Sequence, residues 1–248
     1  MITVETIRER HSVREYDGKP LSRAEFDALG AVVEECVRES GLGIQLVDNN
    51  PEVFSMIARF GLIRGCRTHV SFVVDDAKAG DVAADEAIGY WGQKIVLAAQ
   101  DMGLNTCWCA LCSRKKSHAV VAPEKKIRLI IAVGHGKTQG FSRKTKSVEA
   151  LSSVECAKGP AWFAAAMEAA QLAPTAMNNQ NFKITLLSDG KTVRIDAPQS
   201  GLNVIDEGIV RCNFEIAANE AGADWRWERD IKERRTPLLK RRACFKVP

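Results

Sequence analysis

Residues 89–103 read GYWGQKIVLAAQDMG, and residues 208–222 read GIVRCNFEIAANEAG. The two stretches align without a gap. They share both end glycines and a central Ala-Ala pair, with Leu97 opposite Ile216, Gln100 opposite Asn219 and Asp101 opposite Glu220. Apolar side chains recur at helical spacing at Ile88, Trp91, Ile95, Ala99 and Met102, and again at Ile205, Ile209, Cys212 and Ile216. That period predicts two helices, each with a stripe facing a core, and Gly103 and Gly222 stand where a C-cap ends such a helix. In both halves a helix-then-strand unit comes first. Ser22 and Glu25 form a capping-box pattern that opens a helix leading to a strand at 44–47, while the run 161–172 leads to a strand at 182–187. Similarity at this spacing indicates a duplicated half rather than a solenoid. The expected organisation is one domain, 1–248, with halves at about 1–150 and about 157–227 and a tail at 228–248.

Composition bounds the function. A chain of 248 residues with 46% hydrophobic and 27% charged side chains is long enough to bury a full core. The net charge of +4 and the dispersed basic residues do not point to nucleic acid. The first residues are charged rather than signal-like, and no apolar run approaches the ~20 residues that span a bilayer. The expectation is a cytoplasmic protein without nucleic-acid or membrane partners, monomeric or homodimeric. The eight cysteines are scattered and read as reduced thiols. Cys107, Cys109 and Cys112 form a C-x-C-x-x-C cluster, but no second Cys or His pair stands at ligand spacing, so no metal site is expected. The four histidines show no evident partners, and no nucleophile or metal-protease motif appears.

Two further stretches carry chemistry. In Leu172-Ala173-Pro174-Thr175-Ala176-Met177-Asn178-Asn179-Gln180-Asn181-Phe182, Pro174 ends the preceding helix. The amides that follow offer donors and acceptors suited to a flat, polar-edged heterocycle. Near the N-terminus, Arg10-His11-Ser12-Val13-Arg14-Glu15-Tyr16 sets two guanidinium groups four residues apart, on one face if the segment is helical. Such groups suit a phosphate dianion.

Together these stretches resemble two signatures of the nitroreductase family of FMN enzymes, A-P-S-x-x-N-x-Q-P-[WF] and R-x-S-x-R-x-[FY]; Asn181 stands where relatives have proline. A third segment, Gly103-Leu104-Asn105-Thr106-Cys107-Trp108, is similar to the family's G-L-G-T-C-W, with Asn105 in place of a glycine and expected to keep its left-handed turn. The resemblance runs from about Arg10 to Trp227. It implies an α+β nitroreductase-like fold, a mixed β-sheet covered by helices, with an internal pseudo-two-fold duplication. The core would hold Ile88, Trp91, Ile95, Ala99, Phe182, Ile209, Ile216 and the strand 129–133.

In the family, two subunits build each flavin site, the Arg-Ser-Arg element from one and the A-P-S loop largely from the other. Here each half has only one of these elements, so the chain is similar to a single-chain pseudo-dimer with one flavin. The resemblance implies cofactor contacts at Arg10, His11, Ser12, Arg14, Cys107, Trp108, Cys109, Gly134, Pro174, Thr175, Ala176, Asn178 and Gln180. A basic segment after the strand ending in Gly134 would reach the phosphate, through Arg143 and Lys144 or through Lys146. The reactive atom would be flavin N5, beside the backbone of residues 107–109, and no catalytic side chain is required. The implied activity is oxidation of NADH or NADPH with reduction of a small conjugated acceptor, a nitroaromatic, quinone or enone. The alternative is an FMN-binding protein without turnover, a sensor, store or interaction module.

Overall fold

The helix limits follow from local chemistry. In the computed structural model, α1 (Val4–Glu9) precedes α2 (Arg23–Ser40). The Ser22 hydroxyl accepts from the Glu25 N–H while the Glu25 carboxylate accepts from the Ser22 N–H, and Gly41 closes α2 in a left-handed cap at φ 69°. Asp81 caps α3 (Val82–Asp101) by accepting from the N–H groups of Ala83 and Ala84. The structure describes residues 2–55, 63–154 and 159–223, and the backbone of 226–229 and 240–246.

The first half supplies β1 (Gly43–Val47), β2 (Thr68–Asp75), β3 (Asn105–Cys109) and β4 (Lys125–Gly134), an antiparallel sheet in the order β1-β2-β4-β3. A short α4 (Val148–Leu151) and β5 (Ser152–Val154) lead into α5 (Ala161–Gln171), β6 (Lys183–Leu186), β7 (Thr192–Pro198) and α6 (Asn203–Glu220). The chain closes with β8 (Arg226–Arg229) and β9 (Lys240–Lys246). The second sheet runs β5-β6-β7-β9-β8, with β5 parallel to β6 and the other pairs antiparallel.

With β5 set aside, the two halves share one chain order (helix, strand, strand, helix, strand, strand) and one spatial strand order. The strands thus divide between two sheets, of which the second is mixed. The segment read as a tail from 228 completes that second sheet: β9 lies between β7 and β8. Its sequence, Lys240-Arg241-Arg242-Ala243-Cys244-Phe245-Lys246, lacks the apolar alternation that marks a strand, so only its pairing partners reveal it.

The repeated helices α3 and α6 pack against each other, α3 also against β3 and β4, and α6 against α5 and β7. Their crossing falls on the first glycines of the repeat. A Cβ on Gly89 would lie 2.0 Å from the Ile205 carbonyl oxygen, and one on Gly208 would lie 2.1 Å from that of Glu86. Backbone meets backbone there, which only glycine permits. Buried polar groups pin the register of the pair. Gln93 Nε2 donates to Asn213 Oδ1 (2.9 Å), Asn213 Nδ2 to the Ala169 carbonyl (3.0 Å), and the Trp108 indole N–H to Gln93 Oε1 (3.4 Å). Both amide side chains are fully buried, so each bond replaces water that no longer has access. Ile88, Ile95, Ala99, Phe182, Ile209 and residues 129–133 are buried as expected. Trp91 and Ile216 are half-buried; Lys94 Nζ sits 4.6 Å from the Trp91 ring and covers it from solvent.

Candidate cofactor site

Helix α1 stops at Glu9, and Arg10 already has extended backbone (φ −68°, ψ 113°). The Arg10–Arg14 segment is therefore not helical. Ser12 bridges Thr106 in parallel, and the Val13 N–H donates to the Thr106 carbonyl at 3.0 Å, laying the segment along the outer edge of β3. Extended backbone alternates faces, so residues 10, 12 and 14 share a side by the two-residue period instead of the helical one. Val13 points the other way, into the core. The spacing noted in the sequence holds with a different geometry.

The Arg10 side chain is 7% exposed. One Nη donates to the Leu172 carbonyl at 3.5 Å, and its Nε has no partner among the described residues. Burial lowers its pKa to about 10, partly opposed by the neighbouring Cys107 thiol. The Cys107 thiol is held below its ordinary value by a hydrogen bond with Cys109, then by the charges of Arg14, Arg10 and Arg143, against its burial. Three guanidinium groups therefore converge on one place. Burial, and then Arg10, keep His11 in the same pocket below its usual pKa and neutral.

On the other side of the cleft, α5 ends and Pro174 turns the chain into a strained loop. Met177 (φ 51°), Asn178 (φ 56°) and Gln180 (φ 46°) all have left-handed backbone, which is unfavourable for Met and Gln and is held by tertiary contacts. The Ala176 N–H donates to both oxygens of Asp206 (2.9 and 3.0 Å). Gln180 is buried; its Nε2 donates to the Gln171 carbonyl (2.8 Å) and its Oε1 accepts from the Lys146 N–H (2.6 Å). Asn178 Nδ2 donates to the Lys144 carbonyl (2.7 Å). The amide loop is thus laced to the basic segment 143–146. Gln180→Ala should cost about 2–4 kcal/mol, because the Lys146 N–H and the Gln171 carbonyl each lose a partner; chemical denaturation of the apoprotein measures this.

Two adjoining spaces result. A basic pocket of about 110 Å³ is lined by Arg8, Arg10, His11, Ser12, Arg14, Arg143, Pro174, Thr175 and Asn178 among others. A larger, mostly apolar cleft of about 520 Å³ continues from it past Ser12, Arg14, Cys107, Trp108, Cys109, Pro174, Thr175 and Ala176, against Leu202, Ile205, Asp206 and Ile209. Most of the residues implied by the sequence come together here, from both halves of the chain. Four of the implied residues, Gly134, Gln180, Lys144 and Lys146, line neither space. Gly134 ends β4 against the Tyr16 ring, Gln180 is a brace behind the loop, and Lys144 contributes its carbonyl to Asn178. Of the basic candidates Arg143, Lys144 and Lys146, only Arg143 lines the pocket; the Lys146 ammonium donates to the Gln180 carbonyl (3.0 Å).

Asn105 also differs from expectation. Gly103 carries the left-handed turn (φ 78°), while Asn105 begins β3 and ties down the next turn, accepting from the Gly136 N–H (2.9 Å). Two histidines have partners: His135 Nε2 meets Glu25 Oε1 (2.9 Å) and His69 Nε2 meets the Ser117 hydroxyl (3.1 Å), neither at the cleft. These partners are far away in sequence and could not be read from it. Asp206, Leu202 and Ile205 also line the cleft, and nothing in the sequence marks them as site residues. The helix period marked Ile205 only as core, and no motif surrounds Asp206.

Among the described residues, the cysteines at 36, 66, 107, 109, 112 and 212 are free and buried. No group of three His, Cys, Asp or Glu side chains among those residues could hold a metal ion, and no described helix is long and apolar enough to cross a membrane.

Two sheets joined through a glycine-crossed helix pair, with a cleft basic at one end and apolar at the other, define an α+β protein with a two-part candidate site. The chain belongs to a nitroreductase family: the family model described as "Putative TM nitroreductase" matches residues 2–218. A structure from Thermotoga maritima described as a nitroreductase is similar over 100% of this chain and 94% of that one, with a TM-score of 0.66 and 18% identity. That likeness establishes the nitroreductase fold. A structure from Desulfovibrio desulfuricans, described as a nitroreductase in complex with FMN, matches 60% of this chain and 94% of its own, with a TM-score of 0.46 and 21% identity. Among curated proteins none matches.

Proposed function

We propose that this protein is an FMN-dependent oxidoreductase that takes reducing equivalents from NADH or NADPH and passes them to a small conjugated acceptor. The observation that carries the reading is Arg10. A buried guanidinium with an unpartnered nitrogen, beside Arg14 and Arg143 and opening into an apolar cleft, fits a phosphate attached to a flat ring system. Family membership points the same way. Bound FMN would supply two-electron chemistry at its isoalloxazine ring, while the protein supplies position and electrostatics. Arg10, Arg14 and Arg143 would hold the phosphate, with the Ser12 hydroxyl as a further donor. The backbone of 107–109 would offer N–H groups along the ring edge, and Pro174–Ala176 would wall the opposite side.

The two halves contribute unlike parts. Residues 10–14, 107–109 and 143 come from the first, and residues 174–178 with 206 from the second. The shared strand order and the glycine crossing support reading the chain as a single-chain counterpart of a two-subunit nitroreductase. The expected stoichiometry is therefore one FMN per chain, counted by released flavin against protein. Flavin absorption should bleach when NADH or NADPH is added without oxygen and return with menadione. Colourless protein that ignores added FMN would refute the reading. A yellow protein that neither nicotinamide bleaches would reduce the function to flavin binding.

A further inference from the structure

Among the described residues, Asp206 is the one carboxyl group in the apolar end of the cleft. It lies in the first turn of α6, is 7% exposed, and is flanked by Leu202, Ile205 and Ile209. Both of its oxygens share a single donor, the Ala176 N–H, and no cation pairs with it among the described residues. The loop 173–181 brings no titratable group to it. Across the cleft stand Arg14 from the N-terminal segment and the thiols of Cys107 and Cys109 from β3. On its own helix the next residue, Glu207, takes a bond from Gln199 Nε2 at 3.0 Å.

We propose that Asp206 is the acid of this cleft, giving its proton to the acceptor reduced there. The proposal rests on the oxidoreductase reading above and adds a catalytic side chain to it. Burial pushes the carboxyl up to about 7, with the Ala176 N–H pulling the other way, so a large share stays protonated at neutral pH. The surrounding walls are apolar, which favours an uncharged flat acceptor. For an enone the balance is as follows. The β-carbon would gain a hydride from bound reduced flavin, the two-electron reductant, as the C=C π pair shifts toward the carbonyl. The Asp206 O–H bond breaks, its proton ends on the α-carbon, and water at the cleft mouth reprotonates the carboxylate. The product is the saturated ketone.

Asp206 also holds the Ala176 N–H, so the test must separate acid from brace. Asp206→Asn keeps an oxygen to accept that N–H but has no proton to give. Wild-type and variant holoprotein, reduced by NADPH or NADH, are mixed in single turnover with 2-cyclohexenone or with ferricyanide, which takes electrons without a proton. The ratio of the enone rate to the ferricyanide rate should fall roughly 10²-fold in the variant, the scale of one general acid. The wild-type enone rate should decline as pH rises through about 7, and the variant's should not. Independent of turnover, ¹³C-carboxyl aspartate labelling should show one resonance titrating near pH 7 that is missing from the variant.

Equal ratios in the two proteins, or no aspartate resonance titrating above the ordinary carboxylate range, would overturn the proposal. Wild type that reduces ferricyanide but not the enone overturns the acid role and leaves the flavin reading standing; wild type that reduces neither overturns both. If the Asn variant does not fold, the wild-type pH profile and its resonance decide the matter.

Discussion

Gly208→Val should destabilise the protein by about 3 kcal/mol or more, at or beyond the upper end of what overpacking normally costs. A Cβ there would stand 2.1 Å from the Glu86 carbonyl oxygen, 2.7 Å from the Tyr90 nitrogen and 3.0 Å from the Gly89 Cα. All three obstacles are backbone, so no side chain can swing aside, and α3 and α6 must separate. Separation would also loosen the Gln93–Asn213 bond and carry Ile205, Asp206 and Ile209 away from the cleft wall. Folding and cofactor retention should therefore fail together. Urea denaturation measures the loss, with Gly30→Ala as the internal control. Gly30 lies within α2 with nothing within 4 Å of its added Cβ, so that change should stabilise by about 0.5–1 kcal/mol. A Gly208→Val protein with the wild-type midpoint would show that the helices do not cross there.

Arg10→Met should have two effects of opposite sign. FMN affinity should fall by about 1.5–3 kcal/mol, roughly 10- to 150-fold, the worth of a charge-assisted hydrogen bond to phosphate. The apoprotein should be as stable as wild type or more so. The sign follows from linkage. Burial pulls the Arg10 guanidinium down to about 10, well below its ordinary value, so its charged form is disfavoured in the folded state. A base whose pKa is depressed in the folded state destabilises that state at all pH values below the folded pKa. The penalty is relieved only as pH rises above about 10, and it is therefore complete at neutral pH. A shift of that size corresponds to an upper bound of about 3 kcal/mol, which methionine removes while keeping the apolar stem. Flavin fluorescence quenching measures the affinity, and thermal melting with and without FMN measures the stability. Unchanged FMN affinity would mean that the phosphate lies elsewhere. Adding Arg143→Ala should deepen the loss of affinity, since both side chains line the same pocket.

Much of this molecule is legible in one dimension. The gapless match of 89–103 with 208–222 announces a duplication because a packed helix repeats its apolar stripe every 3.6 residues, and a copied half repeats the copied stripe. The capping box at Ser22, the break at Pro174 and the cap at Gly103 depend on backbone rules that act within a few residues, and each stands where the sequence places it. The pairing of Arg10 with Arg14 and the amides after Pro174 likewise mark the ligand-holding parts. Their residue types have few other uses in that combination.

What the sequence leaves open is which of these parts meet. Four-residue spacing fits a helix and a strand equally well, and the edge of β3 decided for the strand by offering the Thr106 carbonyl to the Val13 N–H. The amide at 180 reads as a ligand contact until Gln171 and Lys146 are seen to occupy it. Asp206 reads as an ordinary helix carboxylate until Leu202, Ile205 and Ile209 exclude water from it. The glycines at 89 and 208 are visible as a conserved pair within the repeat, but their contact with each other's helices is not. By itself the sequence determined the elements, their duplication and the chemistry available, because those depend on neighbours along the chain. The tertiary structure alone decided the two sheets, the bracing roles and the buried charges, because desolvation and hydrogen-bond partnership depend on which separate elements the fold brings together.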